Sequence, residues 1–358
     1  MKLLKDLPVL TLKKKVRTKS LVVFTRQLST LIAAGLPLVK ALRTLYDQLE
    51  SGALKDIIRQ LVDEVESGTN FSESLSHFPR VFPEFYINMI KAGELGGMLE
   101  GILKRLSEFL DKNQKLRERI KSALMYPSFV LLVAVLILIM LMVFVIPTFT
   151  NMFSELGGAL PLPTKVLITT SELIRKAWYL IPLIPISIIF LYKLIIRKPS
   201  RRLLVDKIKL HIPVVGALTQ QVCVARFSRT LGTLLTSGVP ILNALETVRD
   251  TIGNEFIARA VLEVRDSIKE GESVSGPMEA SRAFPPLVVK MVNIGEETGQ
   301  LDKMLIQIAD NFEEEVDVAI GGLTSLLEPL LVVFMGLVVG FIVISMFMPL
   351  FSLAKLIE

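Results

Sequence analysis

The residues able to do chemistry are few in this chain, and their spacing forms no reactive set. The 358 residues include two histidines, His77 and His211, and one cysteine, Cys223. Two imidazoles leave little for a His-rich metal site or for acid–base work near neutral pH. A lone thiol excludes an internal disulfide framework and a Cys-based metal cluster. Cys223 reads as a core thiol on an apolar helix, and both histidines read as surface or turn residues. The phosphate-loop spacing Gly-x-x-x-x-Gly-Lys-Ser/Thr does not occur, and Gly96-Gly97 and Gly157-Gly158 lack the lysine and a preceding strand. No catalytic residue, cofactor site or metal site is therefore expected. The remaining candidates are charged residues at helix ends. Arg26 and Arg229 predict an ion pair or cap inside a bundle, with a partner contact as the other reading. Glu94 and Glu296 each follow a glycine, where capping of the next helix competes with metal binding. The acidic run Glu313–Glu315 is the other place a divalent ion would sit.

The elements that carry these residues are helices, many of them in a membrane. Half of the chain is hydrophobic but only 7% is aromatic, so the excess is aliphatic, as in helices and spans. Ser128–Ile146 has no charge over 19 residues, Trp178–Ile196 has only Lys193, and Leu330–Phe351 has none. Each is long enough to cross a hydrocarbon core. Pro182 and Pro185 predict kinks in the second, and Trp178 and Tyr179 an interfacial anchor. Transport paths keep ionisable groups at membrane depth. The first and third spans have none, and Lys193 can snorkel, which argues against a transporter or an intramembrane protease. Lys112, Lys115, Arg117, Arg119 and Lys121 crowd the entry to the first span, and Arg197, Lys198, Arg201 and Arg202 the exit from the second. By the positive-inside rule both larger domains face the cytoplasm, with the 148–177 loop and the 352–358 tail on the outer side. Lysines break up the apolar pieces of the first 16 residues, so no cleavable signal is expected.

The chain also repeats itself. Residues 24–42 (FTRQLSTLIAAGLPLVKAL) align with 227–245 (FSRTLGTLLTSGVPILNAL) with nine identities in 19 pairs, placing Phe24, Arg26, Gly35 and Pro37 opposite Phe227, Arg229, Gly238 and Pro240. Gly93-Glu94 then matches Gly295-Glu296, and Pro127 and Pro147 match Pro329 and Pro349. The duplication covers a domain and the span after it. Within each copy the pattern is helical throughout. Ser20 is the expected N-cap of the first helix, Gly35 its end, Pro37 the opening of the second helix and Gly93 the end of the fifth. The expectation is an all-α membrane protein: two homologous six-helix bundles and three transmembrane helices. Its segments are a basic 1–20, a first domain 21–123, a span 124–147, a loop 148–177 and a span 178–196. A second domain 197–328, a span 329–351 and a tail 352–358 follow. The first copy is basic, with 21 Lys/Arg against 14 Asp/Glu over residues 1–127, and the second mildly acidic, 15 against 18 over 197–328. The two copies should therefore meet different surfaces. Gly321-Gly322 predicts a hinge before the third span, and Gly336 and Gly340 a close helix contact.

These residues resemble the type II secretion F protein and type IV pilus platform family over nearly the whole chain. Around the first span the family signature is complete: Arg119-Ile120, Ala123-Leu124, Tyr126-Pro127, Val130, Ala134, Leu141 and Val145-Ile146-Pro147. In the second copy Gly321 replaces the basic residue and Glu328 the tyrosine. The resemblance implies a homo-oligomeric platform in the inner membrane. It would be gripped from the cytoplasm by a hexameric ATPase and would help to move pilin-like subunits from the bilayer into a filament beside other inner-membrane assembly proteins. It implies lipid contact, no nucleic acid, and ATP energy borrowed from that partner. A structural subunit of another export complex is the alternative.

Overall fold

A computed structural model describes residues 16–155, 161–177 and 180–357. The basic stretch before Val16, the Gly157-Gly158 pair, and the Trp178–Tyr179 anchor lie outside the described residues. Among those described, there is no strand. The first copy is built of α1 (Thr18–Ala33), α2 (Leu38–Gln48), α3 (Ala53–Glu66), α4 (Phe71–Ser76), α5 (Glu84–Leu95) and α6 (Leu99–Met140). After it come α7 (Ile146–Glu155), α8 (Leu162–Lys176), α9 (Leu180–Ile195) and α10 (Pro199–His211). The second copy repeats the order of the first as α11 (Val215–Thr236), α12 (Ile241–Ile252), α13 (Glu255–Lys269), α14 (Ser275–Ser281), α15 (Pro286–Glu297) and α16 (Leu301–Ile357). Each copy therefore supplies six helices, as the periodicity predicts.

The chain forms two compact units. One joins residues up to Glu118 with Thr219–Glu315, and the other joins Arg119–Leu218 with Val316–Glu358. In the first unit both copies use the same turn chemistry. Gly35 and Gly238 have φ of +83° and +82°. Leu36 N–H donates to the Leu31 carbonyl and Val239 N–H to that of Leu234, at 3.1 and 3.0 Å. This is a Schellman-type stop, and it needs a residue tolerant of left-handed backbone. Pro37 and Pro240 sit at the N-caps of α2 and α12, one position earlier than expected. The helix α1 starts at Thr18 after Arg17, so Ser20 lies inside it and caps nothing. The cores match as well. Phe24 and Phe227 are buried, with Phe24 against Phe82 at 6.3 Å between ring centroids and Phe227 against Phe284 at 4.9 Å. Thr25 donates its hydroxyl proton to Leu21 O, which leaves the buried Tyr86 hydroxyl to donate to Thr25 Oγ1 at 3.1 Å. Cys223 is buried on α11, while His77 and His211 are exposed at helix ends.

The second unit carries the apolar helices. Two helical stretches, Leu99–Thr150 and Leu301–Pro349, are long and apolar enough to cross a membrane. A third candidate, Arg201–His211 with Val215–Thr236, bends by 112°. Its second arm is α11, which buries Val224, Phe227, Leu231 and Leu234 in the bundle core, so it belongs to the second copy and is no span. Over the expected second span lies α9, Leu180–Ile195. It runs unbroken past Pro182 and Pro185.

The region expected as an outer loop instead contains α7 and α8, and α8 has a physical task. Proline lacks an N–H and crowds the carbonyl four residues earlier. Ahead of Pro147 the helix widens into a π turn at Leu141–Val145, and the Met142 carbonyl accepts a hydrogen bond from Ser171 Oγ of α8. Ahead of Pro349 the Ser345 carbonyl, four residues back, accepts one from Thr164 Oγ1 at 2.6 Å. Leu167, on the same face between these two donors, packs with Ile146 and Ile342. Backbone carbonyls released in an apolar setting need such donors. The glycine expectations fail here: α16 runs unbroken through Gly321-Gly322, and a Cβ at Gly321, Gly322, Gly336 or Gly340 would meet nothing within 4 Å. Neither a hinge nor a close contact inside the chain needs them. Replacing Thr164 by Val and Ser171 by Ala together should destabilise the full chain in detergent by about 1–2 kcal/mol. Thermal unfolding monitored by circular dichroism measures this, and an unchanged midpoint would mean that the released carbonyls find other donors.

Candidate functional site

The motif residues assemble into a junction that occurs once in each copy of the first unit. In the first copy Gly93 does not end α5 as expected. The helix continues to Leu95, and the stop is Gly97 at φ +64°. Gly93 instead permits close approach, since a Cβ there would lie 2.9 Å from Ile102 Cγ1 and 3.3 Å from Leu99 Cα of α6. Gly295 is equivalent, with Leu301 Cα at 2.9 Å and Met304 Cγ at 3.0 Å, and Gly299 at φ +65° makes the stop. A side chain at either position would force the last helix away from its neighbour.

The glutamate after each glycine reaches backward along the chain and not toward the next helix. Glu94 accepts from the Phe71 and Ser72 amides at 2.6 and 2.9 Å, and so caps α4, where Asn70 makes no side-chain cap. Glu296 accepts from the Val274 amide at 2.8 Å, and from the Ser275 amide and hydroxyl at 3.3 Å each. A carboxylate suits the exposed donors and partial positive charge of a helix start. Both are thus occupied by protein donors. Among the described residues no group of three or more His, Cys, Asp or Glu is placed to hold a metal ion.

The two arginines also find acids, unequally. Arg229 is buried, and its Nε bonds Glu313 Oε1 at 2.8 Å while Nη2 bonds Asp310 Oδ1 at 2.5 Å. Burial opposes its charge, but these hydrogen bonds prevail and hold the guanidinium above its ordinary pKa. Arg26, largely exposed, reaches Asp111 only at 3.9 Å. Asp111 and Glu313 are repeat partners at the same offset of 202 as the prolines, so an alignment of the two copies holds this signal. Asp310 also accepts from Lys112 Nζ of the first copy at 2.7 Å. Burial pushes the Asp310 carboxyl up, yet the bonds from Lys112 and Arg229 outweigh it and leave it below the usual range. One carboxylate therefore ties both copies together. Arg105 adds a bond to the Thr236 carbonyl, and Asn88 Nδ2 reaches Thr247 Oγ1 at 3.5 Å.

The other motif positions lie in the second unit. Tyr126 is exposed and Pro127 is inside α6; Pro147 lies just inside α7; Pro329 and Pro349 are inside α16. Arg119 pairs with Asp317. A repeated bundle with this junction, followed each time by an apolar helix with proline at the same two places, is a defined architecture. The family model for protein F of the type II secretion system matches residues 24–147 and 227–349, once per copy. The chain belongs to this family. It is 41% identical over 96% of its length to a type IV pilus assembly protein PilC of Myxococcus xanthus, 82% of which is covered. It is likewise 41% identical over 94% of its length to a PilC of Thermus thermophilus, covering 82% of that protein. A type II secretion system protein F of Vibrio cholerae is 33% identical over 97% of the chain and is covered over 85% of its own length.

Replacing Glu94 by Ala should strand the two α4 amides and lower stability by about 1–3 kcal/mol, with Glu296→Ala similar. Urea unfolding of the full chain in detergent tests this. Equal midpoints for wild type and variants would remove the capping role.

Proposed function

We propose that this protein is the inner-membrane platform of a type II secretion or type IV pilus assembly machine. In this reading it is a non-enzymatic homo-oligomer, and it couples a cytoplasmic hexameric ATPase to the extraction and assembly of pilin-like subunits beside other inner-membrane proteins. The observation that carries the reading is the family match falling once on each bundle-plus-span copy. Two features support it further. The last helix of each bundle, α6 or α16, extends without a break into the apolar stretch, so a load on the bundle has a stiff path toward the bilayer. Basic residues flank the inner ends of the first two spans, which favours a cytoplasmic placement of both bundles.

The difference between the copies is charge, and the basic first copy is the better match for an acidic partner face. Cysteine labelling in intact cells tests the placement. Thr169 of α8 is exposed, as are Ser51 and Ser273 of the bundles. A cysteine at 169 should react with an impermeant thiol reagent from outside, and cysteines at 51 and 273 should not. Labelling at 273 from outside would overturn the topology.

A further inference from the structure

Between the two copies in the first unit lies a cavity of about 360 Å³, near the lower end of the range for small-ligand pockets. Four arginines line it: Arg17 before α1, Arg80 between α4 and α5, Arg117 of α6 and Arg226 of α11. The one acid in the lining, Asp250, is engaged by Arg249 at 3.2 Å. Arg226 is mostly buried. Its Nη1 lies against Gly253, close enough that a Cβ there would sit at 3.1 Å. Burial, and then the nearby charge of Arg117, depress its pKa. A mostly buried guanidinium lining one cavity with three others is stabilised when an anion joins them, and such arrangements concentrate at functional sites. Asn113, Gln114 and Thr230 add neutral hydrogen-bonding groups, and Leu21, Phe85 and Phe109 give the same cavity apolar wall.

We propose that this cavity binds a small phosphate-bearing organic anion of nucleotide size. Guanidinium forks match phosphate oxygens in pairs. Four of them supply more positive charge than one carboxylate neutralises, and the apolar wall suits a flat organic body. The volume admits a small molecule and excludes a folded domain. Two sources share the phosphate chemistry: a free nucleotide and the headgroup of an anionic phospholipid.

The test is isothermal titration calorimetry on the purified full chain in detergent, with ADP, inorganic pyrophosphate and dioctanoyl phosphatidylglycerol as separate probes. Saturable binding of at least one probe should weaken with added salt. It should also fall by at least about tenfold in both Arg226→Gln and Arg117→Gln. Arg59→Gln, on α3 and outside the cavity, should match wild type. Arg117 is exposed, so its variant keeps the test informative even if Arg226→Gln fails to fold. ADP binding without phosphatidylglycerol binding identifies a nucleotide-type ligand, and the reverse identifies a headgroup; either supports the site. No binding of any probe up to about 1 mM overturns the proposal, as does binding that neither cavity variant weakens. Displacement of every probe by a short Glu/Asp peptide of higher affinity also overturns it, because the cavity would then be a docking point for a partner's acidic segment.

Discussion

The Gly–Glu junction is the constraint on which each bundle depends. The glycine lets the fifth helix touch the last one, and the next residue fastens the short fourth helix by its amides. Three helices are fixed by two adjacent residues. The last helix of each copy, α6 or α16, begins at this junction and continues into the apolar stretch. That the same pair occurs in both copies, with the same stop glycine four residues later, makes the duplication one of packing geometry as well as of letters.

The apolar unit answers a different demand. Proline at equivalent places in both long helices releases carbonyls that cannot be left bare in lipid. The helix α8 answers with one hydroxyl for each, Ser171 for the first and Thr164 for the second. Proline and donor form a lock: the π turn before Pro147 and the unbroken α16 around Pro349 each have a hydroxyl from a third helix in place of the missing N–H. A region with no obvious chemistry is thereby bound to the two most apolar segments of the chain.

Much of this was legible in the residues. The spacing of Phe24, Gly35 and Pro37 and its echo at Phe227, Gly238 and Pro240 marked the repeat and the helix breaks, because a left-handed turn and a fixed φ leave strong sequence traces. The Arg229 ion pair was readable as a type, and of its two acids only Glu313, the repeat partner of Asp111, leaves a trace in the aligned copies. The reach of Glu94 was not, since a carboxylate beside a helix end looks the same whether it caps the helix ahead or one 22 residues behind. Gly93 misled for a related reason: a glycine that stops a helix and one that admits a neighbour differ only in tertiary context. The helices of 148–177 were hidden by a hydropathy pattern that separates spans from loops but not a loop from a helix packed on spans. Gly321-Gly322 was overridden by the helix on either side, a cost of about 1 kcal/mol per glycine that a 57-residue helix absorbs.

The central claim is that the chain is a scaffold that works through a separate motor. ATP turnover measured with the full chain in lipid nanodiscs, alone and with the cognate ATPase, tests it most directly. The account predicts no hydrolysis by the chain alone and a changed, salt-sensitive rate for the ATPase when the chain is present. Hydrolysis by the chain alone, or an ATPase rate indifferent to it at any salt concentration, would contradict the account.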